Sequence, residues 1–108
     1  MIVLDASALA NALGDDGPAG VVASTRMAEA DAVLVPDLAD VEAVSVLRRR
    51  WLAGSISLDR FRASVGQLGD LPIIRFLAAP LMPRAFELRA NVTPYDACYV
   101  ALAEHFDG

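Results

Sequence analysis

A chain of 108 residues with 56% hydrophobic and 21% charged residues is one domain by length, and a fold of this size buries roughly 65% of its unfolded surface without staples. Its formal charge is −5, from 14 acids against nine basic residues that are all arginine, so the overall field does not attract phosphate backbones and chemistry that needs a lysine is excluded. No uncharged apolar run approaches the ~18–20 residues of a membrane span, no basic region precedes the N-terminal apolar run as a signal peptide requires, and the single Cys98 forms no internal disulfide and fits a reducing, cytoplasmic setting.

In chain order, Ile2 to Leu4 predicts a short buried strand that ends on Asp5. A short helix follows from about Ala8 to Leu13, with Ser7 as its N-cap. Gly14-Asp15-Asp16-Gly17-Pro18 is turn chemistry, and a helix from about Ala19 to Ala30 comes next. Ala32 to Val35 predicts a second buried strand, closed by Pro36. Asp37 is placed to cap a long helix from Leu38 to Ala53, which Gly54 stops. Ser57 caps another helix to about Leu68, and Pro72 opens a strand over Ile73 to Phe76. Pro80 begins a helix ending near Asn91, and Thr93 with Pro94 opens the last, Tyr95 to Phe106. Strands that are continuous apolar runs and alternate with helices predict an α/β fold, a parallel β-sheet flanked by helices on both faces. The chain holds no repeat, linker or low-complexity tract.

Helical spacing predicts which faces are buried. In the long central helix, Leu38, Val41, Ser45 and Arg48 share one stripe, widened by Val44, Leu47, Trp51 and Leu52. In the last helix, Tyr95, Tyr99, Leu102 and Phe106 line one face, flanked by Val100 and Ala103.

Three acids stand out against this frame. Asp5 sits at the carboxyl end of a strand, where open α/β sheets bind ligands. Glu42 lies one turn into the central helix beside its apolar stripe, and Asp96 is at the third position of the last helix. Each also has a structural reading. Asp5 could cap the following helix, although Ser7 is better placed for that; Thr93, Pro94 and Asp96 match a capping box; and Glu42 could be a solvated helix side chain. Asp37 and Asp40 read as cap and first-turn residues.

Taken together, the three acids point to a cation. Two carboxylates about 4 Å apart repel by about 4 kcal/mol at an effective dielectric of about 20. With no lysine to join them, a hard divalent ion on oxygen ligands is the simplest partner, Mg²⁺ or Mn²⁺. Such an ion can hold a phosphate oxygen and lower the pKa of a water, which is the chemistry of phosphodiester hydrolysis without a nucleophilic side chain.

Rival sites fail on composition. A Walker A loop needs a lysine, and Gly14, Gly17 and Gly20 lack the dinucleotide spacing. Aspartyl-phosphate phosphatases and receiver domains also begin with a strand and an Asp, but both rely on a lysine near the phosphate. The lone His105 reads as a surface or capping group near a helix end, and Cys98 as a buried small side chain with no His beside it.

Three stretches carry a family resemblance: Met1-Ile-Val-Leu-Asp5-Ala-Ser7, then Asp40-Val-Glu42 leading into Ser45-Val-Leu-Arg48-Arg49, then Thr93-Pro-Tyr-Asp96-Ala-Cys-Tyr-Val-Ala-Leu-Ala-Glu104. The pattern resembles PIN-domain proteins along the whole chain, and more narrowly the VapC toxins of bacterial toxin–antitoxin pairs. The resemblance implies a Mg²⁺-dependent ribonuclease in which Asp5, Glu42 and Asp96 are the metal-binding catalytic acids, supported by Ser7 and Thr93. It implies an RNA substrate cut to leave a 5′-phosphate, a homodimer, and silencing by a cognate VapB-type antitoxin. Arg49, seven residues beyond Glu42 on the same helix face, is placed to contact a phosphate or orient that acid; a solvated basic run is the other reading of Arg48 and Arg50.

One departure stands out. The family continues past the last helix into a strand ending in Thr-x-Asp, a fourth acid, and then a final strand. This chain stops at His105-Phe-Asp-Gly108, and Asp107 is too close to the helix end to be that acid. The expectation is a single domain over residues 1–108, truncated at its C-terminus, whose own activity is in doubt. The alternative function is a PIN-like module without catalysis that acts through protein association, which the apolar surplus would serve.

Overall fold

The computed structural model describes residues 1–107; Gly108 and the side chain of Asp107 lie outside the described residues, and with them the reading of Asp107 as an acid. Three short strands, β1 (Ile2–Val3), β2 (Val33–Pro36) and β3 (Ile74–Phe76), form one parallel sheet in the order β1-β2-β3. The helices are α1 (Ala6–Gly14), α2 (Pro18–Glu29), α3 (Ala39–Leu52), α4 (Leu58–Leu68), α5 (Met82–Glu87) and α6 (Pro94–Asp107). Ile2 pairs with Val33, and Leu34 pairs with Ile74.

The central strand explains the layers. All four residues of β2 are buried, because each of its faces meets helices. Val33 and Val35 share a core cluster with Leu4, Leu9, Ala39 and Ala43, so that face carries α1 and α3. Leu34, pointing the opposite way, lines a small cavity with Ala103 and Phe106 of α6, which packs on β1 and β2. Both parallel crossovers run in the same direction along the sheet, so the right-handed rule places their helices on one face and leaves the other to α6. The expected α/β architecture is therefore present, with α1 and α3 packed together and α6 across the sheet from them.

Polar pins lock the helices in place. The Leu13 carbonyl at the end of α1 accepts from Arg60 Nε (3.2 Å), Arg60 Nη2 (2.9 Å) and Ser64 Oγ (3.1 Å), tying α4 to α1. Arg75 of β3 makes a two-pronged pair with Asp40 of α3, at 2.7 and 3.0 Å, and gives a third bond to the Leu68 carbonyl. Asp40 is thus more than a first-turn acid; it holds the third strand to the central helix. Gly20 is required by contact, since a Cβ there would lie 1.7 Å from the Asp15 carbonyl oxygen. Gly54, at φ +78°, takes the left-handed turn that ends α3, as expected.

Several local expectations are corrected. Helix α1 starts at Ala6, two residues early, because Asp5 takes the cap: its Oδ1 accepts the Ala8 N–H at 2.9 Å, leaving Ser7 inside the helix. Asp37 does not cap α3; its carboxylate accepts the Ala78 N–H after β3, and α3 begins at Ala39 without a side-chain cap. The helix begun near Pro80 splits into a 3-10 turn (Ala79–Leu81) and α5, and ends at Glu87 rather than near Asn91.

The buried stripes also differ. In α3 the buried residues are Ala39, Ala43 and Leu47, and Val41 is 74% exposed. In α6 they are Ala97, Cys98, Ala101 and Leu102, with Tyr95 62% exposed. In both helices alanines share the inward face with one leucine, Leu47 or Leu102, while Val41 and Tyr95 of the expected stripes point outward. Helices approach a sheet most closely where side chains are short, and a hydrophobicity pattern alone does not weigh size.

Candidate metal centre

Each of the three acids is delivered by a helix N-terminus. Asp5 leaves the carboxyl end of β1 and caps α1, Glu42 sits in the first turn of α3, and Asp96 in the first turn of α6. One physical cause serves all three. The positive ends of helix dipoles tolerate carboxylates, by about 0.3–1 kcal/mol each, so acids can gather there at lower cost than elsewhere.

Asp5 is exposed, and among the described residues only its Oδ1 is taken, by the Ala8 N–H. Glu42 stands between Ala39 and Ala43 on the edge of the buried stripe, so it is half-buried. Its Oε1 accepts a hydrogen bond from the Tyr99 hydroxyl of α6 at 2.7 Å. Burial, then that bond, then the charges of Glu42 and Asp5 push the Tyr99 phenol well above its ordinary range. Tyr99 therefore stays protonated and acts as a donor.

Asp96 is exposed, and the cap of its helix is only half of the expected box. The Thr93 Oγ1 accepts the Asp96 N–H at 3.2 Å, but among the described residues the Asp96 carboxylate accepts no hydrogen bond in return. Its two oxygens are left for something else.

Asp5, Glu42 and Asp96 line one cavity of about 290 Å³, together with Ala6, Ser7 and Tyr99. Among the described residues no arginine lines it. Ser7 faces this cavity, whereas Thr93 acts one step back, through the turn that holds Asp96. Arg49 is not brought to it: it is exposed, and its Nη1 donates to Ser45 Oγ at 3.3 Å. Cys98 is buried, and burial, followed by the charges of Glu42 and Asp37, pushes its thiol up, as suits an inert core side chain. His105 is exposed with its ring edge-on to Phe106.

Tyr99 is the site residue that sequence reasoning missed. Its place on the face shared with Leu102 holds, since it packs against the core, but it also lies three residues beyond Asp96, which on a helix is the same side. That spacing was the available signal.

A larger cleft, about 670 Å³, lies at the far end of α1 and α3, lined by Arg50, Arg60, Asp15 and Asp16 among others. Volume does not make it the better candidate. Arg50 donates to Asn11 Oδ1 at 2.6 Å, and Arg60 is bound to Asp16 and the Leu13 carbonyl, so both guanidinium groups are already engaged.

The acid cavity suits a hard cation by its donors, which are all oxygen. Among the described residues no group of three or more His, Cys, Asp or Glu stands close enough to enclose an ion directly. Mg²⁺ does not require such a cage, because it keeps several waters and is held through one or two carboxylates.

The family described as PIN domain matches residues 2–108. The chain belongs to the PIN-domain family. Among curated proteins, this PIN domain is similar to ribonuclease VapC9 of Mycobacterium tuberculosis, 38% identical over 104 residues, spanning 96% of this chain and 78% of the relative. It is similar to ribonuclease VapC1 of the same species, 38% identical over 106 residues, 97% of this chain and 79% of the relative. Ribonuclease VapC12, also of that species, is 36% identical over 104 residues, 96% of this chain and 79% of the relative. The PIN-family sheet and its flanking helices are thus the frame on which the three acids are mounted.

Proposed function

We propose that this PIN domain is a metal-dependent endoribonuclease toxin of the VapC type, with Asp5, Glu42 and Asp96 as its catalytic acids and Mg²⁺, or Mn²⁺ in its place, as its cofactor. The observation that carries the reading is the convergence of three carboxylates, from three helix starts, on one cavity with no basic lining. The names of the relatives, all ribonucleases, supply the substrate class.

The chain's own residues divide the work. Asp5, with one oxygen held by the turn it caps, and Asp96, with neither engaged, would hold the ion, and Glu42 would complete the acid set from the side of α3. Ser7 lines the same space and offers a hydroxyl to whatever is bound there. When bound, the ion would polarise a phosphodiester oxygen and bring the pKa of a water toward neutrality, so that no nucleophilic side chain is needed. Arg49 lies two helical turns, about 10.5 Å, along α3 from Glu42, a distance at which it would meet a neighbouring phosphate of the strand rather than the scissile one.

The protein partners belong to the same reading. Val41, Leu77 and Phe86 are 74%, 70% and 65% exposed, an apolar surplus that supports a homodimer and a VapB-type antitoxin partner. No helix among the described residues is long and apolar enough to cross a membrane.

The test is cleavage of structured RNA with and without Mg²⁺. The reading expects metal-dependent cleavage that falls by at least about a hundredfold in Asp5→Ala, of the order expected when a polarising ion is lost. RNA left intact while an antitoxin-like partner still binds tightly would establish the non-catalytic interaction module instead. Light scattering at tens of micromolar should give a dimer; a clean monomer would remove that part of the proposal.

A further inference from the structure

The bond between Tyr99 and Glu42 differs from the others at the acid cavity. Asp5 and Thr93 make short-range bonds to their own helix turns, as caps do. Tyr99 reaches across from α6 to α3, linking residues 57 positions apart, at 2.7 Å. Tyr99 packs against the core cluster that includes Leu4, Val35 and Ala43, so the hydroxyl is presented from a fixed base. A glutamate on a helix edge would otherwise sample several rotamers, and this bond removes that freedom. It also engages Glu42 Oε1, just as the Ala8 N–H engages Asp5 Oδ1. Among the described residues, two of the three carboxylates therefore turn only one unbonded oxygen to a ligand.

Divalent ions differ in how they use carboxylates. Ca²⁺ takes about 6–8 oxygens and commonly both oxygens of one carboxylate, whereas Mg²⁺ accepts single oxygens and keeps its waters. We propose that Tyr99 is a positioning and specificity-determining residue: by fixing one oxygen of Glu42 it holds the acid in a one-oxygen geometry that favours Mg²⁺ and Mn²⁺ over Ca²⁺. The inference rests on the metal-centre reading above and assigns Tyr99 a role in it. Outer hydrogen bonds to ligating groups are worth about 10–100-fold in metal affinity or activity, so the effect is measurable.

The experiment is calorimetric titration of Mg²⁺, Mn²⁺ and Ca²⁺ into the unsubstituted protein, Tyr99→Phe and Asp5→Ala. Phenylalanine keeps the ring in its packing and removes only the donor, and a cooperative thermal melt checks that the fold is intact. Tyr99→Phe should lose on the order of tenfold in Mg²⁺ and Mn²⁺ affinity while Ca²⁺ affinity holds or rises. An equal loss for all three ions, or no change, overturns the assignment, because a purely structural hydroxyl would not move the ratio. Asp5→Ala separates the two levels. If it weakens all three ions while Tyr99→Phe leaves their ratio unchanged, the centre stands and the role of Tyr99 falls; if it weakens none, the metal centre itself is refuted.

Discussion

Helices α1 and α3 run side by side, and their two ends are built on opposite principles. At the N-terminal end, Asp5, Glu42 and Asp96 gather around a cavity with one or no hydrogen bond each. At the C-terminal end, the Leu13 carbonyl alone accepts three bonds, and Asn11 takes a 2.6 Å bond from Arg50. Like charges without partners store electrostatic repulsion, whereas a saturated carbonyl is fully compensated. The contrast teaches that bonding capacity is spent at one end of the helix pair and left open at the other. The under-satisfied end is where a ligand can contribute binding energy, and the saturated end keeps the two helices in register so that the acids line one cavity.

Substitutions at the two ends should therefore part company. The largest effect is expected at the saturated end from Gly20→Ala, whose new Cβ would strike the Asp15 carbonyl oxygen and force the α1–α2 turn apart. Thermal or urea denaturation should show a loss of about 3 kcal/mol or more; a loss below about 1 kcal/mol would mean the turn yields easily. Arg60→Ala comes next. It removes two of the three donors to the Leu13 carbonyl and should cost about 1–2 kcal/mol while leaving Mn²⁺ affinity unchanged. If the affinity fell with the stability, the two ends would not be independent.

The smallest effect on stability is expected from Asp96→Asn at the acid end. Loss of a favourable helix-dipole charge is offset by relief of repulsion from Asp5 and Glu42, so the metal-free protein should change by no more than about 0.5 kcal/mol. Metal affinity, in contrast, should drop by at least about tenfold, and added Mg²⁺ should raise the melting temperature of the unsubstituted protein but not of this variant. A variant that melts early yet binds metal normally would reverse the comparison.

Much of the fold was readable because its signals are local. The strand runs Ile2–Leu4, Ala32–Val35 and Ile73–Phe76 lie within a residue of β1, β2 and β3, since parallel strands are continuous apolar segments, although of the three only β2 is buried throughout and the expected burial of β1 is partial. Ser57 caps α4 as its sequence position suggested, with Oγ accepting the Arg60 N–H at 3.0 Å. The errors have physical sources. Asp5 displaced Ser7 as the cap, Asp37 turned away to bond the Ala78 N–H, and Val41 and Tyr95 faced outward while alanines faced in. The first turned on a choice between two neighbouring caps that the local pattern contains but does not rank, the others on a distant backbone donor or the room available between a helix and the sheet.

The candidate site divides in the same way. Asp5, Glu42 and Asp96 could be singled out from their positions beside predicted strand ends and helix starts, because that placement follows from chain order. Which side chains would share a cavity could not, nor that Tyr99 would bridge α6 to α3 while Arg49 would turn aside to Ser45. The sequence by itself determined the alternation of strands and helices, the absence of lysine and the acids at the helix starts, since propensity and composition act within a few residues. Only the tertiary structure decided which oxygens remain unbonded, because hydrogen bonds between residues far apart in the chain form only once packing has brought their helices together.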